Sequence, residues 1–157
     1  MFKLKKILYP TDFSEASLEA LKYAVSFARS CQAKLILMHV VNEKIYSEGL
    51  SLARVTAPEA LGQEMATEAG RQLKGLIPAD QRAGLDVEMV TLSGTPFQEI
   101  IRYARENGVD MIVIGSVGHS GIERMMFGST AEKVVRGAHC PVLTVRPPAP
   151  RERGGAA

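Results

Sequence analysis

The chain has 157 residues, of which 46% are hydrophobic and 23% are charged, and its formal net charge is +2. This length suits one domain with a buried core, and the balance of residue types is that of a globular protein rather than a disordered one. The small net charge, with scattered basic residues and no basic run beside aromatic residues, argues against a nucleic-acid partner.

Two cysteines, Cys31 and Cys140, lie far apart and form no CxxC pair. This usage indicates neither a zinc site nor a disulfide scaffold, so we expect reduced and mostly buried thiols. No apolar run reaches the roughly 18 residues of a membrane span, and the N-terminal residues lack the apolar stretch of a signal peptide. We therefore expect a cytoplasmic protein without a membrane partner.

The first part of the chain begins a series in which strand patterns alternate with helical patterns. Residues 7–9 predict a short apolar strand that ends at Pro10. Apolar side chains then recur at helical spacing over residues 14–30, with Ser14 as the N-cap. Residues 34–41 are almost continuously apolar, which is typical of a strand that is covered on both faces.

The rest of the chain continues this alternation after a connection over residues 42–56 that has no clean period. The predicted elements are helices over 58–76 and 130–136 and strands over 85–92, 111–114 and 141–145. A further helix has the clearest start, because Thr95-Pro96-Phe97-Gln98 combines an N-cap, a proline at the first helical position and the glutamine of a capping box. Asn107-Gly108 supplies its end.

Five strands separated by helices predict an α/β fold, a single-domain open parallel sheet with helices on both faces. The domain is expected to cover residues 1–146. The tail over residues 147–157, rich in Pro, Arg and Gly, has too little apolar surface to order itself. In open parallel sheets, ligands bind beyond the carboxyl ends of the strands, where the strand order reverses. The loops after strands one, two and four are therefore the places to search.

The loop after the fourth strand contains Gly115, Gly118 and Gly128, and the last of these precedes Ser129 and Thr130. Glycines let backbone N–H groups approach a ligand closely, and the start of a helix favours anions. The hydroxyl groups of Ser129 and Thr130 can donate hydrogen bonds as well. These features predict a phosphate site without a P-loop lysine.

An ordinary capping box is the alternative, since Ser129-x-x-Glu132 has its pattern and the Ser129 hydroxyl would then serve its own helix. Other nucleotide chemistries lack their motifs. There is no G-x-x-x-x-G-K-[ST], no G-x-G-x-x-G after the first strand, no Ser-Gly-Gly-x-Asp-Ser and no His-x-Gly-His. These absences disfavour P-loop, dinucleotide-binding and adenylyl-transfer enzymes.

Three parts of the chain resemble the universal stress protein family. The spacing Gly115-x-x-Gly118, nine residues and then Gly128-Ser129 is similar to the nucleotide-binding signature of its ATP-binding members. Tyr9-Pro10-Thr11-Asp12-Phe13-Ser14 resembles the opening of the family, and Cys140-Pro141-Val142-Leu143-Thr144-Val145 resembles its close. The resemblance covers residues 5–146.

The resemblance implies an adenine nucleotide alpha hydrolase-like sheet of order 3-2-1-4-5 and ATP as the ligand, with Mg²⁺ or Mn²⁺ as a companion coordinated by the phosphates. Asp12 would contact the adenosine end, although an aspartate before a helix is also a common turn former. The other implied site residues are Pro10, Thr11 and the backbone at Val40 or Val41 around adenine and ribose, Gly115, Ser116 and Gly118 along ribose and phosphates, and Gly128, Ser129 and Thr130 at phosphate. Members of the family usually form dimers through the last strand, here Pro141 to Val145.

The three histidines carry less information. His119 lies inside the glycine-rich loop and could contact a phosphate as a ligand rather than as a catalyst. His39 lies within an apolar strand and is interpreted as a hydrogen-bonded residue of the core or of its edge, and His139 beside Cys140 does not make a metal site.

The favoured hypothesis is a regulatory ATP-binding protein, whose nucleotide would order the glycine-rich loop and change what an unknown protein partner meets. A slow ATPase using the same site is an alternative, although no general base can be named for it. A nucleotide-independent dimeric interaction protein is the other alternative, and the intact glycine spacing speaks against it.

Overall fold

A computed structural model describes residues 1–44, 48, 58–118 and 127–148 of the chain. The strands are β1 (Lys6–Pro10), β2 (Lys34–Asn42), β3 (Val87–Gly94), β4 (Met111–Gly115) and β5 (Val142–Val145). The helices are α1 (Glu15–Cys31), α2 (Pro58–Leu76), α3 (Pro96–Glu106) and α4 (Ser129–Gly137), with a 3-10 turn at Ala79–Gln81. Most of the predicted connection over residues 42–56, His119 and most of the predicted tail lie outside the described residues.

The strands form one parallel sheet of order β3-β2-β1-β4-β5, which confirms the predicted fold class. The chain builds outward from β1 through β2 to β3 and then crosses to β4 and β5 on the other side. The β1–β2 register runs from Lys6↔Lys34 to Pro10↔Met38, whereas the β1–β4 register pairs Ile7↔Met111 and Leu8↔Ile112. The carboxyl ends of β1 and β4 therefore lie beside a crevice at the point where the strand order reverses.

Within the described ranges, each face of the sheet is covered by two helices. Because successive side chains of a strand point to opposite faces, Ile7 and Tyr9 pack with α1 and α2, while Leu8 packs with α3 and α4. All three side chains are fully buried. The α1 side of this contact is made by small residues, among them Ala20, Ala24 and Ala28, which let the helix lie close to the sheet.

Three local predictions are corrected by the structure. β1 continues through Pro10 because the pairing with β2 extends to that residue, and Thr11 N donates to Met38 O just beyond it. α3 does begin at Pro96, but Thr95 makes no side-chain capping bond, so the predicted capping box is wrong. Cys31 is exposed at the end of α1, so the expectation of buried thiols fails there, whereas Cys140 is partly buried.

Among the described residues, no helix combines the length and the apolar character needed to cross a membrane.

The end of β4 lies against the first turn of α1. A Cβ placed on Gly115 would come within 2.8 Å of Ser17 N and 2.9 Å of the Ala16 carbonyl carbon. These are backbone atoms of a helix, so they cannot move aside as a flexible side chain would. Glycine at position 115 thus sets the distance between β4 and α1.

We expect Gly115→Ala to destabilise the fold by about 1–3 kcal/mol, the usual cost of overpacking. Urea unfolding followed by circular dichroism measures this change. Gly70→Ala in α2 is the matched control, since a Cβ there meets nothing within 4 Å, and it should stabilise the protein by about 0.5–1 kcal/mol through helix propensity. Equal free energies of unfolding for the two variants would contradict the packing role of Gly115.

Candidate functional site

A cavity of about 440 Å³ opens at the carboxyl edge of the sheet, where the strand order reverses. Its size is within the range of about 300–1,000 Å³ that is common for small-molecule sites. Ten of the residues predicted for the site line it: Pro10, Thr11, Asp12, Val40, Val41, Gly115, Gly118, Gly128, Ser129 and Thr130. The tertiary structure thus brings together three loops that are far apart in the sequence.

One residue predicted for the site, Ser116, is not among the described residues that line the cavity. Ser116 is buried, and its backbone bonds neighbouring segments: its N–H donates to Val145 O and its carbonyl accepts from Gly128 N. His119 lies outside the described residues.

Nine further residues of the cavity wall were not assigned to the site from the sequence. They are Ser17, His39, Asn42, Met65, Pro96, Ile100, Ile114, Val117 and Ala131. Asn42 belongs to the loop after the second strand, which the sequence did indicate as a place to search, and His39 could have been found because it also lies near the carboxyl end of β2. Met65 carries no such signal, because its place in the wall depends on how α2 packs.

The turn after β1 is held by side chains that bond backbone N–H groups. Thr11 Oγ1 accepts from Phe13 N at 2.9 Å, and Asp12 Oδ1 accepts from Ser14 N at 3.0 Å. Ser14 Oγ in turn accepts from Ser17 N, which makes Ser14 the N-cap of α1 as predicted. Asp12 is thus a turn former through one oxygen and lines the cavity as well, so the two interpretations of this residue are compatible.

The loops that follow β1 and β4 come close together at Asp12 and Gly118. A Cβ built on Gly118 would overlap Asp12 Oδ2. Glycine at position 118 therefore leaves room for a carboxylate of the neighbouring loop, a constraint that the spacing of glycines alone does not reveal.

The start of α4 forms another part of the wall. Gly128 is the N-cap of α4, and Ser129 is the first helical residue. The capping-box alternative is wrong, because it needs Ser129 at the N-cap position. The bond from Glu132 N to Gly128 O is 3.0 Å long, and the N–H groups of Ser129, Thr130 and Ala131 precede it in the helix. N–H groups in this turn have no partner within the helix and favour an anion.

Gly128 itself is packed against the backbone of the β4 loop. Its N–H donates to Ser116 O at 2.7 Å, and a Cβ at this position would lie 3.3 Å from Val117 Cα. This close contact places the first turn of α4 beside the end of β4.

The buried hydroxyl groups of Tyr9, Thr11 and Ser17 form a hydrogen-bonded cluster next to the cavity wall. Tyr9 OH donates to Ser17 O at 2.7 Å and lies 3.1 Å from Ser17 Oγ, which also contacts Thr11 Oγ1. Burial raises the pKa of the Tyr9 phenol above its ordinary value of 10.0. Since Thr11 and Ser17 line the cavity, this group fixes the positions of two wall residues.

Charge is sparse in the described part of the wall, where Asp12 is the one carboxylate. No group of three or more His, Cys, Asp or Glu residues in the described ranges is arranged to hold a metal ion. The described wall therefore offers backbone N–H groups, hydroxyls, one carboxylate and apolar side chains. This set suits a ligand that has both an anionic part and an apolar part.

Replacing Tyr9 by Phe should lower the free energy of unfolding by about 1 kcal/mol near neutral pH, because a buried hydrogen bond to Ser17 is lost. The effect should also depend on pH. Since burial raises the pKa of Tyr9 in the folded state, its stabilisation is fully present below about pH 10 and is lost as the pH rises through the folded-state pKa.

Urea unfolding of both proteins across alkaline pH tests this expectation. The free energy of unfolding of the wild type should fall more steeply above about pH 10 than that of Tyr9→Phe. Parallel pH profiles for the two proteins would argue against a buried phenol at this position.

The chain is similar to proteins of known sequence and structure. The sequence model of the Universal stress protein family matches residues 3–146. Universal stress protein MJ0531 of Methanocaldococcus jannaschii is 35% identical over 144 residues, which cover 92% of this chain and 83% of the relative. Universal stress protein YxiE of Bacillus subtilis is 38% identical over 145 residues, which cover 90% of this chain and 98% of the relative.

Solved structures show the same fold. The structure of MJ0577, also from Methanocaldococcus jannaschii, matches with a TM-score of 0.80 and 31% identity, covering 92% of this chain and 97% of that one. A universal stress protein in complex with cAMP matches with a TM-score of 0.61 and 25% identity, covering 93% and 99%. The family match spans all the described strands and helices, and this chain belongs to the universal stress protein family.

Proposed function

We propose that the chain binds an adenine nucleotide in this cavity, with ATP as the preferred ligand, and acts as a regulatory protein whose nucleotide state a protein partner reads. One observation carries the proposal: the first turn of α4 and the Asp12 carboxylate line the same cavity. N–H groups at a helix start suit phosphate, and a carboxylate accepts hydrogen bonds from ribose hydroxyls. This division of roles matches a nucleoside phosphate.

The apolar part of the wall supports the same assignment. Val40, Val41 and Met65 line the cavity together with Pro10 and Ile114. An aromatic base gains free energy when such surface is removed from water on binding. The cAMP bound by one solved relative contains an adenine base. This supports an adenine nucleotide as the ligand here.

The roles predicted for individual residues form part of this proposal. Asp12, Pro10 and Thr11 with the backbone at Val40 or Val41 would hold the adenosine end. The phosphates would be held by Gly115, Gly118, Gly128, Ser129 and Thr130. Ser116 would support the loop that follows β4, and His119 would be a further phosphate ligand. Mg²⁺ or Mn²⁺ would enter with the nucleotide, bound by its phosphates.

Hydrolysis is not part of the proposal, because Asp12, the one carboxylate in the described wall, is assigned to the adenosine end. The cytoplasmic location stays a prediction.

Two substitutions test the adenosine end and the phosphate end of the proposed site separately. Asp12→Ala should weaken ATP and ADP about equally, by about tenfold or 1.4 kcal/mol. Ser129→Pro should weaken ATP at least about tenfold while adenosine binding stays unchanged, since it removes one N–H group and one hydroxyl from the proposed phosphate site. Proline is tolerated at the first position of a helix, and the extended backbone of Gly128, with φ −62° and ψ 148°, suits the residue before a proline.

Calorimetric titration of the folded variants measures these affinities. Ser129→Ala is the matched control, because it removes the hydroxyl and keeps the N–H group. A loss of ATP alone in Asp12→Ala would place this carboxylate at the phosphates. Full ATP affinity in Ser129→Pro would rule out the start of α4 as the phosphate site.

We also propose that two copies of the chain pair through β5. This strand lies at one edge of the sheet and pairs with β4 on its other side. The carbonyls of Pro141 and Val145 accept from Ile112 N and Ser116 N, so they point inward to β4. Because backbone groups alternate in direction along a strand, those of Val142 and Thr144 point to the open edge. An unpaired edge of this kind is suited to pairing with a second copy.

Thr144→Pro tests this pairing, because it removes an outward N–H group and keeps the inward bonds to β4. The variant should fold and shift toward monomer in sedimentation at micromolar concentration. Leu143→Pro is the contrasting variant, since its N–H group points inward and its loss should also lower the stability of the subunit. A wild type that sediments as a monomer would refute dimerisation through β5.

A further inference from the structure

His39 makes two contacts that the sequence does not predict. Its Nδ1 lies 2.8 Å from the Thr11 carbonyl oxygen. Its ring also stacks on the Phe13 ring, with centroids 4.9 Å apart and an angle of 28° between the planes. The side chain is partly buried and lines the cavity, so its environment is that of a site residue rather than of the core.

The two contacts are made on either side of Asp12 in the chain. Thr11 precedes Asp12, and Phe13 follows it. Phe13 has a φ of 62°, in the left-handed region that bulky residues rarely adopt. A conformation of this kind persists where the surroundings hold it, and the stacked His39 ring is such a restraint. A side chain from the neighbouring strand therefore restrains the turn that presents Asp12, in addition to the packing of Phe13 against the buried core.

The hydrogen bond also fixes the state of the ring. A carbonyl oxygen can only accept, so Nδ1 of His39 must carry the proton. Thr11 is buried, and a buried carbonyl that lost this donor would be left without that bond. The bonds from Phe13 N to Thr11 Oγ1 and from Ser14 N to Asp12 Oδ1 lie within the turn itself. Thr11 N already donates to Met38 O of β2, and His39 adds the Thr11 carbonyl and the Phe13 ring to the contacts between this turn and β2.

We propose that His39 is a positioning residue: it holds the turn over residues 11–13 against β2 and thereby sets the position of the Asp12 carboxylate. This inference rests on the proposed function for its effect on ligand affinity, because it assigns His39 an influence on adenine nucleotide that acts through Asp12. The positioning of the turn itself is a property of the protein without ligand, and it can be measured there.

The first experiment uses the protein without ligand. Long-range ¹H–¹⁵N spectra of the wild type should show the Nδ1–H form of His39, and the Nε2–H form would overturn the proposal. In His39→Leu, the amides of Phe13 and Ser14 should exchange with solvent at least about tenfold faster, since their opening becomes easier. His39→Asn should retain most of the protection, because its amide nitrogen can take the place of Nδ1. The matched control is His139→Leu, at an exposed position next to β5, which should leave both amides unchanged.

The second experiment measures ATP affinity by calorimetry in a double-mutant cycle. His39→Leu should weaken ATP about tenfold, and His39→Asn should stay within about threefold of the wild type. In an Asp12→Ala background, His39→Leu should cause no further loss, because its effect acts through Asp12. A loss that is fully additive with Asp12→Ala would refute the positioning role.

The two experiments separate the two hypotheses. If the wild type fails to bind ATP, the proposed function is wrong, while the ring form of His39 and the exchange of Phe13 and Ser14 still decide the positioning role. If ATP binds and both amides keep their protection in His39→Leu, the inference about His39 is wrong and the proposed function stands.

Discussion

The close packing of Gly115 against the first turn of α1 is the constraint on which the candidate site depends. With no Cβ at this position, the end of β4 can lie beside the backbone of Ala16 and Ser17. Ser17 lines the cavity and bonds the buried Tyr9 hydroxyl, so the same contact links the core to the cavity wall. A larger residue at 115 would separate β4 from α1 and change the width of the crevice between the two loops.

The glycines of the β4 loop have structural roles that do not compete with a role in binding. Gly118 leaves space for Asp12, and Gly128 lies against the backbone at Val117. Both contacts bring the loop after β4 and the start of α4 close to the turn after β1. The spacing of these glycines therefore reflects how the cavity is built, and a ligand would meet a surface that packing has already shaped.

The turn after β1 shows how polar groups connect the fold to the site. Asp12 stabilises the turn through the Ser14 N–H group, while His39 bonds the carbonyl of the residue before it. In the described part of the protein, no side-chain nitrogen or oxygen that is fully shielded from water lacks a hydrogen-bond partner. Buried polar groups without partners are costly, so these bonds favour one arrangement of the turn.

The sequence by itself determined the parallel α/β fold, because the continuous apolar strands and the helical spacings are local patterns that do not depend on distant contacts. It also predicted the glycines and Ser129 for the site from their places after a strand and near a helix start, whereas Asp12 was assigned through the resemblance to the family. Only the tertiary structure decided that Gly128 rather than Ser129 caps α4 and that Gly118 makes room for Asp12. It alone brought Met65 to the cavity, and it alone showed that His39 contacts the turn after β1. Contacts of this kind join residues far apart in the chain, and their distances follow from the packing of helices on the sheet, which no local pattern records.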